Sequence, residues 1–424
     1  VPTTLTDWLA LTPSDRAHHL RETRADAERS AHGAWITVAA DITHGGGPLA
    51  GIPFSVKDNI DVLGFSTTAG SRLLRATPAD VDATVVDVLR DAGAVVLGKT
   101  NLHELAFGIT SNNAAFGPVR NPADPTRSAG GSSGGSAASV ASGAVPFALG
   151  TDTGGSVTIP ASFCGVVGFR PTTGRYPGDG VVTLSSTRDT IGIHARTPQD
   201  VQFLDELITG EPATPPVGLA GLRIGLPRNR FDDLNPDIAD AVARFVSTVE
   251  QKGAVLVDLD LSDLDSLAHN GNTLVFHEAP RLLASRIDHP VELWHHHIAS
   301  PDVRSLVEQM ATPVPADAYL AARADRWTLR RRYADVFTRV DVVLSPTSPV
   351  PPPLLGADDL ISLNGRLVAT FPTVTRTVTP GTVAGVPMIS LPAGTTPDGL
   401  PVGVCLEARA HGDAALLQIA AAVA

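Results

Sequence analysis

Lysine is almost missing from this chain. Of its 32 basic residues only Lys57, Lys99 and Lys252 are lysines, so arginine is the default cation. A lysine kept against that background invites a role arginine cannot fill, and losing a proton is such a role. Cysteine is as scarce, with Cys164 and Cys405 the whole supply. Two cysteines cannot build a disulfide framework. Both sit among apolar neighbours and read as buried free thiols, in keeping with a reducing, cytoplasmic setting. Excess positive charge is also absent. A net charge of −12 argues against a phosphate-neutralising face, and so against a nucleic-acid partner. No apolar run reaches the ~18 residues of a membrane span. The opening Val1-Pro-Thr-Thr-Leu-Thr-Asp lacks the basic stretch and apolar core of a secretion signal.

What is present reads as an ordinary well-packed enzyme. At 424 residues the chain is long enough for two or three average domains, or for one large α/β domain with insertions. The stretch 1–45 reads as helical, with apolar contacts from Leu5, Trp8, Leu9, Leu20 and Ala27. Val81, Val85, Val88, Leu89 and Ala92 recur at helical spacing, Gly93 is placed to end that helix, and Ala94–Leu97 follows as a buried strand. The same order returns at Ile238–Val249, Gly253 and Ala254–Leu261. Further strands are expected at Leu222–Leu226, Val340–Leu344, Val386–Leu391 and Val402–Leu406. Helices alternating with short apolar strands give an α/β architecture around a largely buried sheet. We expect a single domain over 1–424, with the mostly helical stretch 262–340 as a cap-like region. The arginines Arg330, Arg331 and Arg332 within it read as a solvated helix face.

Three short segments carry the chemistry: Gly51-Ile-Pro-Phe-Ser-Val-Lys57-Asp58-Asn59, Gly130-Gly-Ser132-Ser133-Gly-Gly135 and Thr151-Asp-Thr-Gly-Gly-Ser156. The second could be a flexible linker. It lies instead between core patterns, the small-residue helix Ala137–Val145 on one side and the apolar strand Pro146–Leu149 just beyond. The third follows that strand directly. Consecutive small residues there can turn several backbone N–H groups into one concavity, as an oxyanion requires. A serine needs a base within reach, yet none of the 13 histidines lies in either glycine-rich segment. Lys57 is the alternative, because its neighbours Ile52, Phe54 and Val56 favour the neutral amine by desolvation.

The run from Arg127 through Gly150-Thr-Asp-Thr-Gly-Gly-Ser156 to Arg170-Pro-Thr resembles the amidase signature family nearly residue for residue. The resemblance extends from about Gly51 to Asp205 and resumes at Val340–Ala424. It implies a large mixed β-sheet sandwiched between α-helices. Within the family, Tyr176-Pro-Gly-Asp179 and Ser186-Thr-Arg188-Asp189-Thr190 look most like the indoleacetamide and mandelamide hydrolase branch. By the same resemblance Ser156 is the nucleophile, Ser132 the bridging serine after a cis peptide, and Lys57 the general base. Backbone amides of Thr153, Gly154, Gly155 and Ser156 would hold the oxyanion, with Ser133, Thr151 and Asp152 supporting the network from behind. The expected reaction is hydrolysis of a small carboxylic amide through an acyl-enzyme, without cofactor or metal. Capture of the acyl group by an amine, or onward transfer of ammonia, is the alternative. A homodimer is admitted as an assembly. Many relatives carry an arginine shortly after the nucleophile, where this chain has Val157, Thr158 and Ile159. That absence favours a neutral aromatic or aliphatic amide. Gly108, Ile109, Thr110, Ser111 and Phe163, with part of the cap, are expected to line the acyl pocket.

Three competing patterns are weaker. Gly93-Ala-Val-Val-Leu-Gly98-Lys99-Thr100 matches a phosphate-binding loop by letter, but a strand-like run occupies the loop position. Gly131-Ser-Ser133-Gly-Gly135 matches a nucleophile elbow without a marked acid and histidine to follow. His295-His296-His297 has no acidic or cysteine partner at ligand spacing.

Overall fold

The apolar runs of the sequence become an eleven-stranded mixed sheet. The computed structural model describes residues 2–42, 45–212 and 214–424. In chain order the strands are β1 (Trp35–Val38), β2 (Pro53–Lys57), β3 (Val95–Thr100), β4 (Phe147–Asp152), β5 (Val167–Arg170), β6 (Thr190–Ala195), β7 (Arg223–Pro227), β8 (Val255–Leu259), β9 (Val342–Pro346), β10 (Met388–Thr395) and β11 (Pro401–Glu407). They lie in the order β1-β3-β2-β4-β6-β5-β10-β11-β9-β7-β8. The β2 strand runs parallel to both β3 and β4, and β7 runs parallel to β8 and β9. The remaining pairs are antiparallel.

Both faces of the sheet are covered, and the side-chain alternation shows it. Val342 and Leu344 belong to one apolar core while Val343 belongs to a second; Val404 and Leu406 are divided from Cys405 in the same way. Successive side chains of a strand point to opposite faces, so the two cores lie on opposite sides. The first receives the helices Thr84–Asp91, Pro198–Thr209, Pro236–Gln251 and Asp413–Val423, through residues such as Val86, Leu204, Val242 and Leu416. The second receives the long helix Ala316–Arg339 through Leu329, Tyr333 and Val336. No described helix is long and apolar enough to cross a membrane.

The expected strands at 94–97, 222–226, 254–261, 340–344, 386–391 and 402–406 all appear, shifted by a few residues. The N-terminal reading needs correction. Helices Leu5–Ala10 and Pro13–Arg29 form as expected, but Trp35–Val38 is a strand on the sheet edge, antiparallel to β3. Aromatic and β-branched residues fill Trp-Ile-Thr-Val, which suits a pleated surface better than a helix. The stretch 262–340 is helical, and a third apolar core joins its Trp294, Val303 and Met310 to Leu105 and Leu184.

Candidate active site

The sheet register brings Lys57 to the end of β2, beside the end of β4: Val56 faces Leu149, so Lys57 lies level with Gly150, one residue before Thr151. Ser132 arrives from the turn that opens the helix Gly134–Ala141. The Gly131–Ser132 peptide is cis. Lys57 Nζ stands 2.8 Å from Ser132 Oγ, 2.8 Å from Thr151 Oγ1 and 3.4 Å from the Thr151 carbonyl. Asn59 Nδ2 donates to the same Thr151 hydroxyl at 2.9 Å. Lys57 is fully buried. Burial pushes its ammonium down to about 7, against the opposing pull of Asp152 and Asp189.

The loop after β4 is shaped by one carboxylate. Asp152 Oδ1 accepts from the Gly155 N–H (2.9 Å) and from Arg170 Nη1 (2.8 Å), while its Oδ2 accepts from the Val157 N–H (2.7 Å). The ion pair is entirely buried. Gly155, at φ +108, permits the turn, and a Cβ there would stand 2.8 Å from Val378 Cγ2. This geometry corrects one expectation. The Gly155 amide, assigned to the oxyanion set, is already given to Asp152. Among the described residues the amides of Thr153, Gly154 and Ser156 make no hydrogen bond within the chain. Thr153 Oγ1 donates to Asp189 Oδ1 at 2.6 Å, and Asp189 Oδ2 accepts from the Leu184 and Ser185 amides. Burial raises the Asp189 carboxyl while those donors hold it down.

Ser156 opens onto a cavity of about 410 Å³, within the ~300–1,000 Å³ range of small-molecule sites. Phe107, Val275, Phe276, Leu306 and Phe371 give it an apolar wall, and Thr153 and Gly154 lie at its floor. Gly108, Ile109 and Thr110 line it, as does the part of the 262–340 region around residues 272–276 and 302–306. Ser111 and Phe163 do not. Ser111 Oγ is turned inward, donating to the Ser132 carbonyl (3.3 Å) and accepting from the Gly134 N–H (3.2 Å). Phe163 is buried in the second core. Val157, Thr158 and Ile159 are buried beneath the loop and do not line the cavity.

Ser133 faces away from the cavity: its Oγ donates to the Thr151 carbonyl (3.0 Å) and its N–H to the Ser156 carbonyl (3.2 Å). It thereby ties the turn of Ser132 to the loop of Ser156. The phosphate-loop pattern lies in β3, where Lys99 is buried and paired with Asp58 Oδ1 at 3.1 Å. The three histidines form a short surface turn, Val291–His297. Among the described residues one trio, His103, Asp302 and Asp358, brings ligand-type atoms within 4.8 Å of one another. The Ser111 N–H donates to His103 Nδ1 at 3.1 Å. Nδ1 accepts that hydrogen bond, so Nε2 carries the ring hydrogen and donates it to Asp302 Oδ2 at 2.8 Å. In this arrangement both ring nitrogens of His103 are already engaged. The buried His194 near Lys57 is neutral, pushed down to about 4 by burial and donating to the Val157 carbonyl.

Sequence reasoning gave no role to Asn59, Arg170, Arg188 or Asp189, although each lies in a segment it had marked. Their contacts cross from one segment to another, and spacing along the chain does not show that.

Comparison with known proteins identifies the family and the fold. The Amidase family model matches residues 16–417. Indoleacetamide hydrolase of Agrobacterium vitis is 41% identical over 388 residues, covering 88% of this chain and 83% of the relative. Mandelamide hydrolase of Pseudomonas putida is 37% identical over 402 residues, with 88% and 78% covered. Among solved structures, the peptide amidase of Stenotrophomonas maltophilia superposes with a TM-score of 0.81 at 27% identity, covering 97% of this chain and 93% of that one.

Proposed function

Since the chain belongs to the Amidase family and is an enzyme that hydrolyses carboxylic amides, we propose that it converts a small neutral arylacetamide-type amide to acid and ammonia through an acyl-enzyme on Ser156. One observation carries the mechanism: Lys57, buried and able to lose its proton near pH 7, stands 2.8 Å from Ser132 Oγ. As a neutral amine it has two hydrogens, which match the two Thr151 oxygens, and a lone pair facing the Ser132 hydroxyl. Lys57 takes the Ser132 proton, Ser132 takes that of Ser156, and Ser156 Oγ attacks the carbonyl carbon. The free amides of Thr153, Gly154 and Ser156 receive the developing oxyanion. Ser132 returns a proton to the departing nitrogen. Water then cleaves the acyl-enzyme by the same relay in reverse.

The substrate class rests on the cavity wall. Phe107, Phe276 and Phe371 suit an aromatic ring, and both named hydrolases above act on primary amides that carry one. Two buried, unpaired cysteines support a reducing compartment as the place of action. A panel of indoleacetamide, mandelamide, phenylacetamide and acetamide, read by ammonia release, tests the proposal. The aryl amides should be turned over well above acetamide. Lys57→Ala and Ser156→Ala should both lose activity, and only the second should fail to form a covalent adduct with an activated ester. Activity surviving both substitutions would overturn the mechanism.

A further inference from the structure

Beside the first cavity lies a second, of about 330 Å³, which shares Gly154, Arg188, Asn272, Phe371 and Pro372 with it. Its character is different, because Arg188, Arg230 and Arg376 line it, against a single carboxylate, that of Asp265. Arg230 is accounted for: Nη1 lies 3.1 Å from Glu407 Oε2, and Nη2 lies 3.6 Å from Asp265 Oδ1. Arg188 is not. It is 2% exposed. Its Nη1 donates to the Gly271 carbonyl (2.9 Å) and its Nη2 to Thr382 Oγ1 (3.2 Å), both neutral acceptors. Its Nε has no partner. Asp189 and Asp152 act on it only from beyond ion-pair distance. Arg376 is only partly buried; it too makes no ion pair, with Nη2 donating to the backbone carbonyls of Asp232 and Asp233 and Nε unpartnered, while the Asp232, Asp233 and Asp265 carboxylates act on it from beyond ion-pair distance.

Buried cations are normally paired, because an uncompensated charge in a low-dielectric interior is costly. The buried, unpaired Arg188, with the partly buried Arg376 lining the same cavity, indicates the charge that the cavity receives. Arg188 also reaches the junction of the two cavities: a Cβ on Gly154 would stand 3.5 Å from its Nη2. We propose that the second cavity is a carboxylate subsite on the leaving-group side, so that the enzyme also cleaves N-acyl amino acids. The aromatic acyl group then fills the first cavity, the amide lies at Ser156, and the carboxylate of the leaving amine sits between Arg188 and Arg376. The absence of arginine at 157–159 does not bear on this, since the two cations come from other segments. Chemically the step is the same hydrolysis. The Ser156 Oγ–carbon bond forms as the carbon–nitrogen bond breaks, and the Ser156 proton reaches the departing nitrogen by way of Ser132. The amino acid leaves through the second cavity, and water releases the carboxylic acid.

The inference rests on Ser156 as nucleophile, and the test separates the two. Phenylacetamide, N-phenylacetylglycine and the neutral N-phenylacetylglycinamide are compared on wild type, Arg376→Ala and Arg376→Lys. Wild type should prefer the charged glycine derivative over its neutral amide by about tenfold in kcat/KM, as expected for a charge-assisted contact. Arg376→Ala should erase that preference through KM and leave phenylacetamide within about twofold; Arg376→Lys should keep part of it. Equal turnover of charged and neutral forms by wild type, or an equal loss on all three substrates in Arg376→Ala, would refute the subsite. Calorimetry of N-phenylacetylglycine on Ser156→Ala, with and without Arg376→Ala, reads the subsite without turnover. About tenfold weaker binding in the double variant supports it, and unchanged binding refutes it. If wild type forms no acyl-enzyme with phenylacetamide while that binding difference persists, the nucleophile assignment fails and the subsite stands.

Discussion

Replacing Lys57 by methionine should make the protein inactive and, near neutral pH, relatively more stable. The two effects have one cause. In the unfolded chain a lysine titrates near ~10.4, whereas burial pushes Lys57 down to about 7 in the folded protein. The unfolded state therefore binds more protons between those values, and stability rises with pH across that window. The burial cost is largest below pH 7 and fades toward pH 10. From the two values, the wild type should gain about 2 kcal/mol on Lys57→Met between pH 7 and pH 9. Lys99 is buried in both proteins, so its contribution cancels. Urea unfolding at several pH values reads the difference directly. The kinetic counterpart is a rising limb in log kcat/KM for phenylacetamide, centred near 7, below which the rate falls about tenfold per pH unit as Lys57 becomes charged. Methionine removes the proposed base, and a loss of about 10²–10⁴ is expected. His103→Gln, which changes the one histidine that lines the cavity, should leave the midpoint in place. The reasoning is refuted if the stability difference does not vary with pH, or if the limb persists in Lys57→Met.

Three further outcomes follow from the same geometry. Asp152→Asn removes the charge opposite the buried Arg170 guanidinium and should cost about 3–5 kcal/mol in urea unfolding; because Asp152 also raises the Lys57 pKa, any residual rising limb should shift to lower pH. Phe276→Ala strips one aromatic wall from the first cavity, so KM for aryl amides should rise about tenfold, from the ~1–2 kcal/mol of lost apolar contact, with acetamide unaffected. Gly135→Ala drives a Cβ to 2.3 Å from the Asn101 carbonyl and 2.6 Å from that of Ala34; neither backbone can yield freely, and a loss of about 1–3 kcal/mol should appear as a lower unfolding midpoint.

Much of this arrangement was legible before any coordinates, for reasons that differ by residue. The helix–glycine–strand order at 81–97 and 238–261 could be read because helical periodicity and a left-handed stop signal are both local; Gly93 and Gly253 do adopt positive φ. Lys57 stood out through rarity and apolar neighbours, and Ser132 and Ser156 through resemblance. What escaped is what depends on contacts between distant segments. The Trp35–Val38 strand is short, and only pairing with β3 defines it. The Gly155 amide could not be known to be occupied without seeing which way Asp152 turns. Ser111 and Phe163 lie in the expected neighbourhood but point into the protein. The unpaired state of Arg188 is a property of its whole surroundings.

Lys57, Ser132 and Ser156 all fall within one stretch of about a hundred residues, whereas Val275, Phe276, Leu306 and Phe371 reach the same cavity from the distal half of the chain. Much of the recognising wall is thus written apart from the proposed reacting residues, with Phe107–Thr110 the stretch that lies among them. Mutational drift in residues 272–306 or 358–376 can redirect the enzyme to another amide without disturbing proton transfer, a freedom that Lys57, Ser132 and Ser156 do not share. A graft of residues 272–306 from a relative of different selectivity should therefore carry acyl preference with it and leave the pH dependence of the recipient unchanged.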